Sequence, residues 1–413
     1  MRIDSVSSPF AGHLHPQLDL ATRLRAAIDA RIHFLSTPTA RRAIELSDFE
    51  MTPVLADRDH VISGIANATK QVGSNPYRLW GQLRDNLSMM DQLMIELCDR
   101  WKLDRPDLVL VDFAVPVAGL LARSMGIPWW TSLTTVCAME TLDGVPAYLG
   151  GLMPRTGVRG QIRNLLGRQI VRSFKRSTHW LFRRQMVRFG IPRVYRSDGF
   201  EAIYSPETIL AYQPREFEFP CTWPNALHFV GPLTQSPPFP HRSPQFVIGK
   251  PHVLVSLGTH VGWAKKSAAE TIRKVALAMP NFEFHFSHGM ANAEQSSDSG
   301  NYHEYAYFPY HQYAHRYAVS INHGGTGILF ACLRNAIPIL IWPHDFDQYD
   351  HAARIIHHGL GIRLQNDVSL IVRDLQRLLM DANIRQNVNR MKSIIDSYDT
   401  TKLVCKLLEK LDT

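Results

Sequence analysis

The sequence predicts an α/β protein of two domains, each built on a parallel sheet with helices on both faces. Three observations carry that prediction. The chain has 413 residues and a mass of 46.9 kDa, more than one hydrophobic core usually organises, since chains beyond ~250–300 residues tend to split. Short apolar runs rich in β-branched residues recur between helical patterns, the mark of strand–helix–strand units. The stretch "GPLTQSPPFPHRSPQFVIGK", Gly231 to Lys250, holds five prolines around a polar middle. Such a composition carries neither a helix nor a central strand and marks a boundary.

The elements follow in order. "SPFAGHLHPQLDLATRL" reads as a strand end, a glycine turn and a helix with His13 near its beginning. "DLVLVDF", Asp107 to Phe113, is a strand, and "VAGLLARSMGIP" is the helix behind it, stopped by Gly-Ile-Pro. Beyond the proline-rich stretch, "HVLVSLGT", "NFEFHFSH", "AVSINHGG" and "IPILIWPH" are four further strands separated by helical patterns. The expected division is residues 1–235, a linker 236–250, residues 251–395, and a C-terminal helix 396–413 returning to the first domain. No internal repeat interrupts this scheme.

Composition excludes several classes. Hydrophobic residues make up 45% and charged residues 20%, as in an ordinary soluble globular protein. The five cysteines are scattered and form no C-x-x-C, so neither a disulfide framework nor a thiolate zinc site is indicated, and a cytoplasmic setting is expected. The start lacks the apolar stretch of a secretory signal, and no run approaches the ~18 apolar residues of a membrane span. The net charge is +8 with pI near 9.3, which invites an anionic partner. That charge sits in one place. From Arg155 to Arg196 there are twelve Arg and Lys and no Asp or Glu, and the rest of the chain is slightly acidic. Ile162, Leu165, Leu166, Ile170, Phe174, Leu181 and Met186 alternate with those charges at roughly helical spacing. The segment 155–196 therefore reads either as an amphipathic helix lying on an anionic membrane, or as a helix whose apolar side packs on the first domain or frames a binding pocket. Nucleic acid is not an expected partner.

In sheets of this kind ligands bind beyond the carboxyl ends of the strands. There, "NHGGTGILFACLRNA" places His323 and Gly324, Gly325, Thr326 and Gly327 at a strand end and helix start. A helix N-terminus offers unpaired N–H groups and positive dipole, and glycines let an anion approach the backbone. The alternative is a tight turn with a core histidine. Neither G-x-G-x-x-G nor G-x-x-x-x-G-K-[ST] occurs, which weakens dehydrogenase and triphosphatase readings. After the next strand Asp347 and Gln348 put acceptors and donors side by side, suited to neighbouring hydroxyls of a sugar, or equally to a solvated helix start. His13 at a strand end can serve as a general base, with Asp112 as the carboxylate that orients it. His311 and His315 stand four apart without a third metal ligand, and no Lys is committed to a pyridoxal phosphate.

Together these residues follow a family pattern. The chain resembles the family 1 nucleotide-sugar glycosyltransferases, UDP-glycosyltransferase-like and of the bacterial natural-product type, along its full length and most strongly in "YFPYHQYAHRYAVSINHGGTGILFACLRNAIPILIWPHDFDQYDHAARI". The resemblance rests on Tyr307, Pro309, His323, Gly325, Pro343, Asp347 and Gln348 in the family's order and spacing. It implies the GT-B fold, two Rossmann-like domains facing across a cleft. It further implies His13 as the base that deprotonates the acceptor, Asp112 as its partner, and His323 with Gly324 to Gly327 as the pyrophosphate site. Thr259 matches a second phosphate contact, Tyr307 the aromatic that stacks on the nucleobase, and Asp347 with Gln348 the pair on the donor sugar. The implied reaction transfers a hexose from a UDP- or dTDP-sugar to a small, hydrophobic or lipid-like acceptor with inversion, in natural-product biosynthesis, without a metal and with no cofactor beyond the sugar nucleotide as co-substrate. Five positions depart from the pattern: Ile328 replaces a phosphate-binding hydroxyl, Ala331 a ribose-binding Glu, His351 an Asn, Tyr307 the stacking Trp, and Tyr310 a Gln. The alternatives are a non-catalytic GT-B homologue that binds lipid or assists a partner enzyme, and a nucleotide-sugar epimerase or hydrolase of the same architecture.

Overall fold

The computed structural model describes residues 1–66, 76–291 and 296–411. The chain divides into two compact units, one formed by Met1–Ile65, Tyr77–Leu233 and Asp399–Thr413, the other containing Thr234–Tyr398.

The first unit holds strands β1 (Arg2–Val6), β2 (Arg31–Ser36), β3 (Glu50–Pro53), β4 (Leu108–Asp112), β5 (Trp129–Leu133), β6 (Ile209–Ala211) and β7 (Leu227–Phe229). They form one sheet in the order β3-β2-β1-β4-β5-β6-β7, parallel throughout. Its helices are α1 (Ala11–Ala27), α2 (Arg41–Leu46), α3 (Asp59–Ala66), α4 (Pro76–Leu103), α5 (Pro116–Ser124), α6 (Gly157–Leu181) and α7 (Arg183–Arg188). Every residue of β4 and β5 is buried, as a parallel sheet covered on both faces requires.

The second unit holds β8 (His252–Ser256), β9 (Glu283–Ser287), β10 (Ser296–Ser299), β11 (Tyr302–Tyr305), β12 (Val319–Asn322), β13 (Ile339–Ile341) and β14 (Gly361–Arg363). Their order is β10-β11-β9-β8-β12-β13-β14. The pairing is parallel except for the edge hairpin β10–β11, which the sequence pattern did not reveal because β10 is a run of Ser and Asp with every residue exposed. Helices α8 (Gly262–Ala278), α9 (Tyr310–Tyr313), α10 (Thr326–Arg334), α11 (Gln348–His357), α12 (Val368–Met380) and α13 (Ala382–Asp396) accompany these strands, and α14 (Thr400–Leu408) follows.

Helices α12, α13 and α14 start on aspartates that act as N-caps. Asp367 accepts from the Leu370 N–H, Asp381 from Asn383 and Ile384, and Asp399 from Lys402, each worth ~1 kcal/mol. The proline-rich residues 236–250 lie along the second unit. Ser236 accepts from the Tyr307 hydroxyl, His241 bonds the Tyr313 hydroxyl at 2.9 Å, and the Gln245 N–H donates to Tyr305. Helix α14 belongs with the first unit. Thr400 donates to the Val230 carbonyl at 2.6 Å, and Val404 and Leu408 are buried.

Candidate functional site

Both sheets reverse strand order once, between β1 and β4 and between β8 and β12. At such a reversal the connections leave in opposite directions and open a crevice at the carboxyl edge. His13 and Asp112 meet at the first of these places, and His323 with Gly324 to Gly327 lies at the second.

In the first unit, β1 leads to α1 and His13 stands in the first turn of that helix. Asp112 is the last residue of the neighbouring β4 and is fully buried. Pairing of Val6 with Val111 brings the two strand ends level, so His13 Nδ1 lies 2.9 Å from Asp112 Oδ1 and 3.1 Å from Oδ2. The carboxylate also accepts from the Ser8 N–H at 3.1 Å, the Ser8 hydroxyl at 2.5 Å and the Ala114 N–H at 3.0 Å. Burial alone would push its pKa up. The charge and hydrogen bond of His13, with those from Ser8 and Ala114, more than offset this and hold Asp112 below the usual carboxylate range. The ionised Asp112 accepts from Nδ1, so in the neutral ring the hydrogen sits on Nδ1. Phe113 stacks on the imidazole at 5.1 Å and Phe10 meets it edge-on at 5.9 Å, which fixes the ring plane.

In the second unit, β12 ends at Asn322 and α10 starts at Thr326 with Gly325 as N-cap. Gly324 takes φ +91°, open to glycine and costly for other residues, and its N–H donates to Asn322 Oδ1 at 3.0 Å. His323 lies between two backbones. A Cβ on Gly325 would fall 2.4 Å from its Nε2, and one on Gly258 would fall 2.6 Å from its Cε1. A Cβ on Gly289 would likewise fall 2.6 Å from the Gly258 carbonyl oxygen. Three loops at the carboxyl edge thus approach one another over one imidazole. The ring is partly exposed at its rim, yet desolvation of its deep part brings its pKa down to about 3, against the opposing pull of the Ser256 carbonyl. His323 is therefore neutral near pH 7, and its Nδ1 donates to the Ser256 carbonyl at 3.4 Å. The sequence suggested a ready donor to an anion here. In this tautomer Nε2 is an acceptor, and it becomes a donor only by taking a proton.

The other expected residues take varied positions. Thr259 follows β8, is partly exposed, and has no hydroxyl partner among the described residues. Asp347 is the N-cap residue of α11 with its side chain 22% exposed. Gln348 is buried and turned inward, its amide oxygen accepting from the His344 and Asp345 N–H groups at 2.8 and 3.1 Å. Only its amide nitrogen remains for a ligand, so the pair presents one acceptor group and one donor group. Tyr307 is 9% exposed, donates to Ser236, and meets Phe239 edge-to-face at 5.6 Å. The departing positions Ile328 and Ala331 are 3% and 1% exposed, and Thr326 and Gly327 are the more open residues of the first turn of α10.

Four supporting residues escaped sequence reasoning: Ser8, Gly258, Asn322 and, in its actual role, His351. His351 is fully buried, and its Nδ1 bonds the Gly324 carbonyl at 2.6 Å. That bond ties the loop after β13 to the glycine loop after β12. The signal for Gly258 was the glycine in "SLGT"; for the others the sequence offered none.

The comparisons agree with this fold. Residues 263–402 match the model of the glycosyltransferase family 28 C-terminal domain, where the motif pattern resembled family 1. The chain is similar to a zeaxanthin glucosyltransferase of Pseudescherichia vulneris, 24% identical over 350 residues covering 83% of this chain and 82% of that protein. It is also similar to the 4'-demethylrebeccamycin synthase of Lentzea aerocolonigenes, 25% identical over 320 residues and 74% of each chain. Among solved structures, the kitacinnamycin glycosyltransferase superposes with a TM-score of 0.74 at 20% identity over 99% of this chain and 98% of that one. The calicheamicin glycosyltransferase CalG4 does so at 0.73 and 19%, with the same coverage. The chain therefore has the GT-B fold, carries a match to a glycosyltransferase C-terminal domain over residues 263–402, and is similar along most of its length to glycosyltransferases that act on natural products.

Proposed function

We propose that this glycosyltransferase moves a hexose from a dTDP- or UDP-sugar to a hydroxyl group of a small hydrophobic acceptor, with inversion at the anomeric carbon and without a metal. The observation that carries the reading is the His13–Asp112 pair, a buried carboxylate bonded to Nδ1 with Nε2 left as the base. Nε2 takes the acceptor proton as the acceptor oxygen attacks C1, and Asp112 stabilises the imidazolium that forms. The bond from C1 to the diphosphate breaks with its electron pair going to the leaving oxygen. The N–H groups and dipole at the start of α10, the Thr259 hydroxyl and a protonated His323 meet that charge, so the scheme needs no metal. The Asp347 carboxylate and the Gln348 amide nitrogen hold the sugar hydroxyls. A deoxynucleotide is favoured by Ala331, an enclosed methyl where a ribose-binding Glu would stand, and by the likeness to the spinosyn rhamnosyltransferase SpnG, solved with thymidine diphosphate.

The test pairs binding with transfer. Thermal-shift and calorimetric titration with dTDP, UDP and their sugars should show stabilisation by at least one, by mass action. His13→Ala should keep that binding and lose transfer by ~10²–10⁴-fold, and transfer should survive EDTA. Unaltered transfer in His13→Ala would sink the base assignment, and absence of any nucleotide binding would sink the donor reading.

A further inference from the structure

We propose that the outer face of α6 docks on an anionic lipid bilayer. The observation is an inverted helix. Of its 25 residues only Gly160 and Gly167 are buried; Gly167 sits where the helix touches its own unit, and Gly160 sits under the turn that leads into the helix. A Cβ on Gly167 would fall 2.7 Å from Pro146 Cγ, and one on Gly160 would fall 2.3 Å from the Arg155 carbonyl oxygen. The apolar residues point the other way. Val158, Ile162, Leu166, Ile170 and Phe174, at four-residue intervals, are 69, 52, 58, 62 and 50% exposed, and Trp180 is 73% exposed. Four-residue spacing makes one continuous ridge along a helix, and exposed apolar side chains in a contiguous ridge mark an interaction surface.

The charges divide by side. Facing the unit, Arg172 and Lys175 pair with Glu140 at 3.0 and 3.1 Å, and Lys175 also pairs with Glu201 at 2.6 Å. Those carboxylates come from outside the helix and staple it down. Facing solvent, Arg155, Arg159, Arg183, Arg184 and Arg193 are exposed and have no carboxylate partner among the described residues. An apolar ridge flanked by unpaired arginines fits hydrocarbon bounded by anionic headgroups, with the arginine stems reaching along the apolar surface. A second copy of the chain fits worse, because a two-fold contact would set these arginines against their own equivalents. The ridge also decides against nucleic acid, whose sites interleave charge with stacking aromatics rather than aliphatic side chains. No helix among the described residues is long and apolar enough to cross a membrane, so the contact lies in the plane of the interface.

The proposal stands apart from the donor and base assignments and is tested without them. The full chain is floated with vesicles of phosphatidylcholine alone and with phosphatidylglycerol added, at low and high salt. Binding is expected to the anionic vesicles and to fall as salt rises. The triple variant Ile162→Glu, Leu166→Glu, Ile170→Glu should lose binding at least about tenfold with its circular dichroism and thermal unfolding unchanged. Arg159→Gln, Arg183→Gln and Arg184→Gln should each weaken binding about fivefold. Failure to float with either vesicle, flotation that these variants leave untouched, or a dimer in light scattering that the triple variant dissociates would each overturn the proposal.

Discussion

His323 occupies a slot that only two glycine backbones leave open, and this makes its chemistry and its packing inseparable. With a pKa brought down to about 3, it is neutral in the free protein near pH 7. In the proposed complex a diphosphate beside the ring favours its protonated form and raises that value, so binding takes up a proton at pH between the free and bound values. The sign follows from linkage: affinity for a sugar nucleotide rises as pH falls below the bound-state pKa, by at most about tenfold per unit. Calorimetry in two buffers of different ionisation enthalpy reads the proton directly, and His323→Gln should abolish the uptake. The slot itself is testable. Gly325→Ala places a methyl carbon 2.4 Å from Nε2 and should cost ~1–3 kcal/mol in denaturant unfolding. Removing the ring relieves the clash, so the double variant with His323→Ala should cost less than the sum of the singles by more than ~0.5 kcal/mol. A strictly additive result would contradict the packing described.

The loops after β12 and β13 act as one piece because His351 on α11 bonds the Gly324 carbonyl. His351→Ala leaves that carbonyl without its side-chain donor and should lower stability by ~1–3 kcal/mol. It should also weaken nucleotide binding while leaving a His13-dependent step unchanged once donor is saturating, a KM effect rather than a kcat effect. The strand ends that carry His13, Asp112, His323 and Asp347 were legible in the sequence because apolar runs and glycine turns are local signals. The braces were not. Ser8 reaches Asp112 across 104 positions and His351 reaches Gly324 across 27, and a pairing that only folding creates leaves no periodicity to read. Helix α6 shows the converse. Its pattern was plain, but periodicity reports which residues share a face and is silent on whether that face turns inward; here close approach at Gly167 and the ion pairs of Arg172 and Lys175 turn it out.

The two sheets share a plan, mainly parallel strands whose connections change direction between β1 and β4 and between β8 and β12, and alternating strand and helix patterns were enough to anticipate that plan. The proline-rich stretch gave the boundary but not its attachment, since the hydroxyls and rings that hold residues 236–250 against the second unit belong to tyrosines more than fifty positions later. The first unit includes α14. Deleting residues from Asp399 onward removes the buried Val404 and Leu408 and should cost that unit ~3–6 kcal/mol. Hydrogen exchange should then show lost protection in β1 to β7 with β8 to β14 intact; equal loss in both sheets would argue against the division. The return of α14 also bears on how the chain is made. Its seventh strand leaves the ribosome long before the helix that covers it, and the whole of Thr234–Tyr398 must be translated in between. During that interval the apolar seat of α14 is bare, so the nascent chain is a natural client for a chaperone, and the second unit can reach its native state before the first.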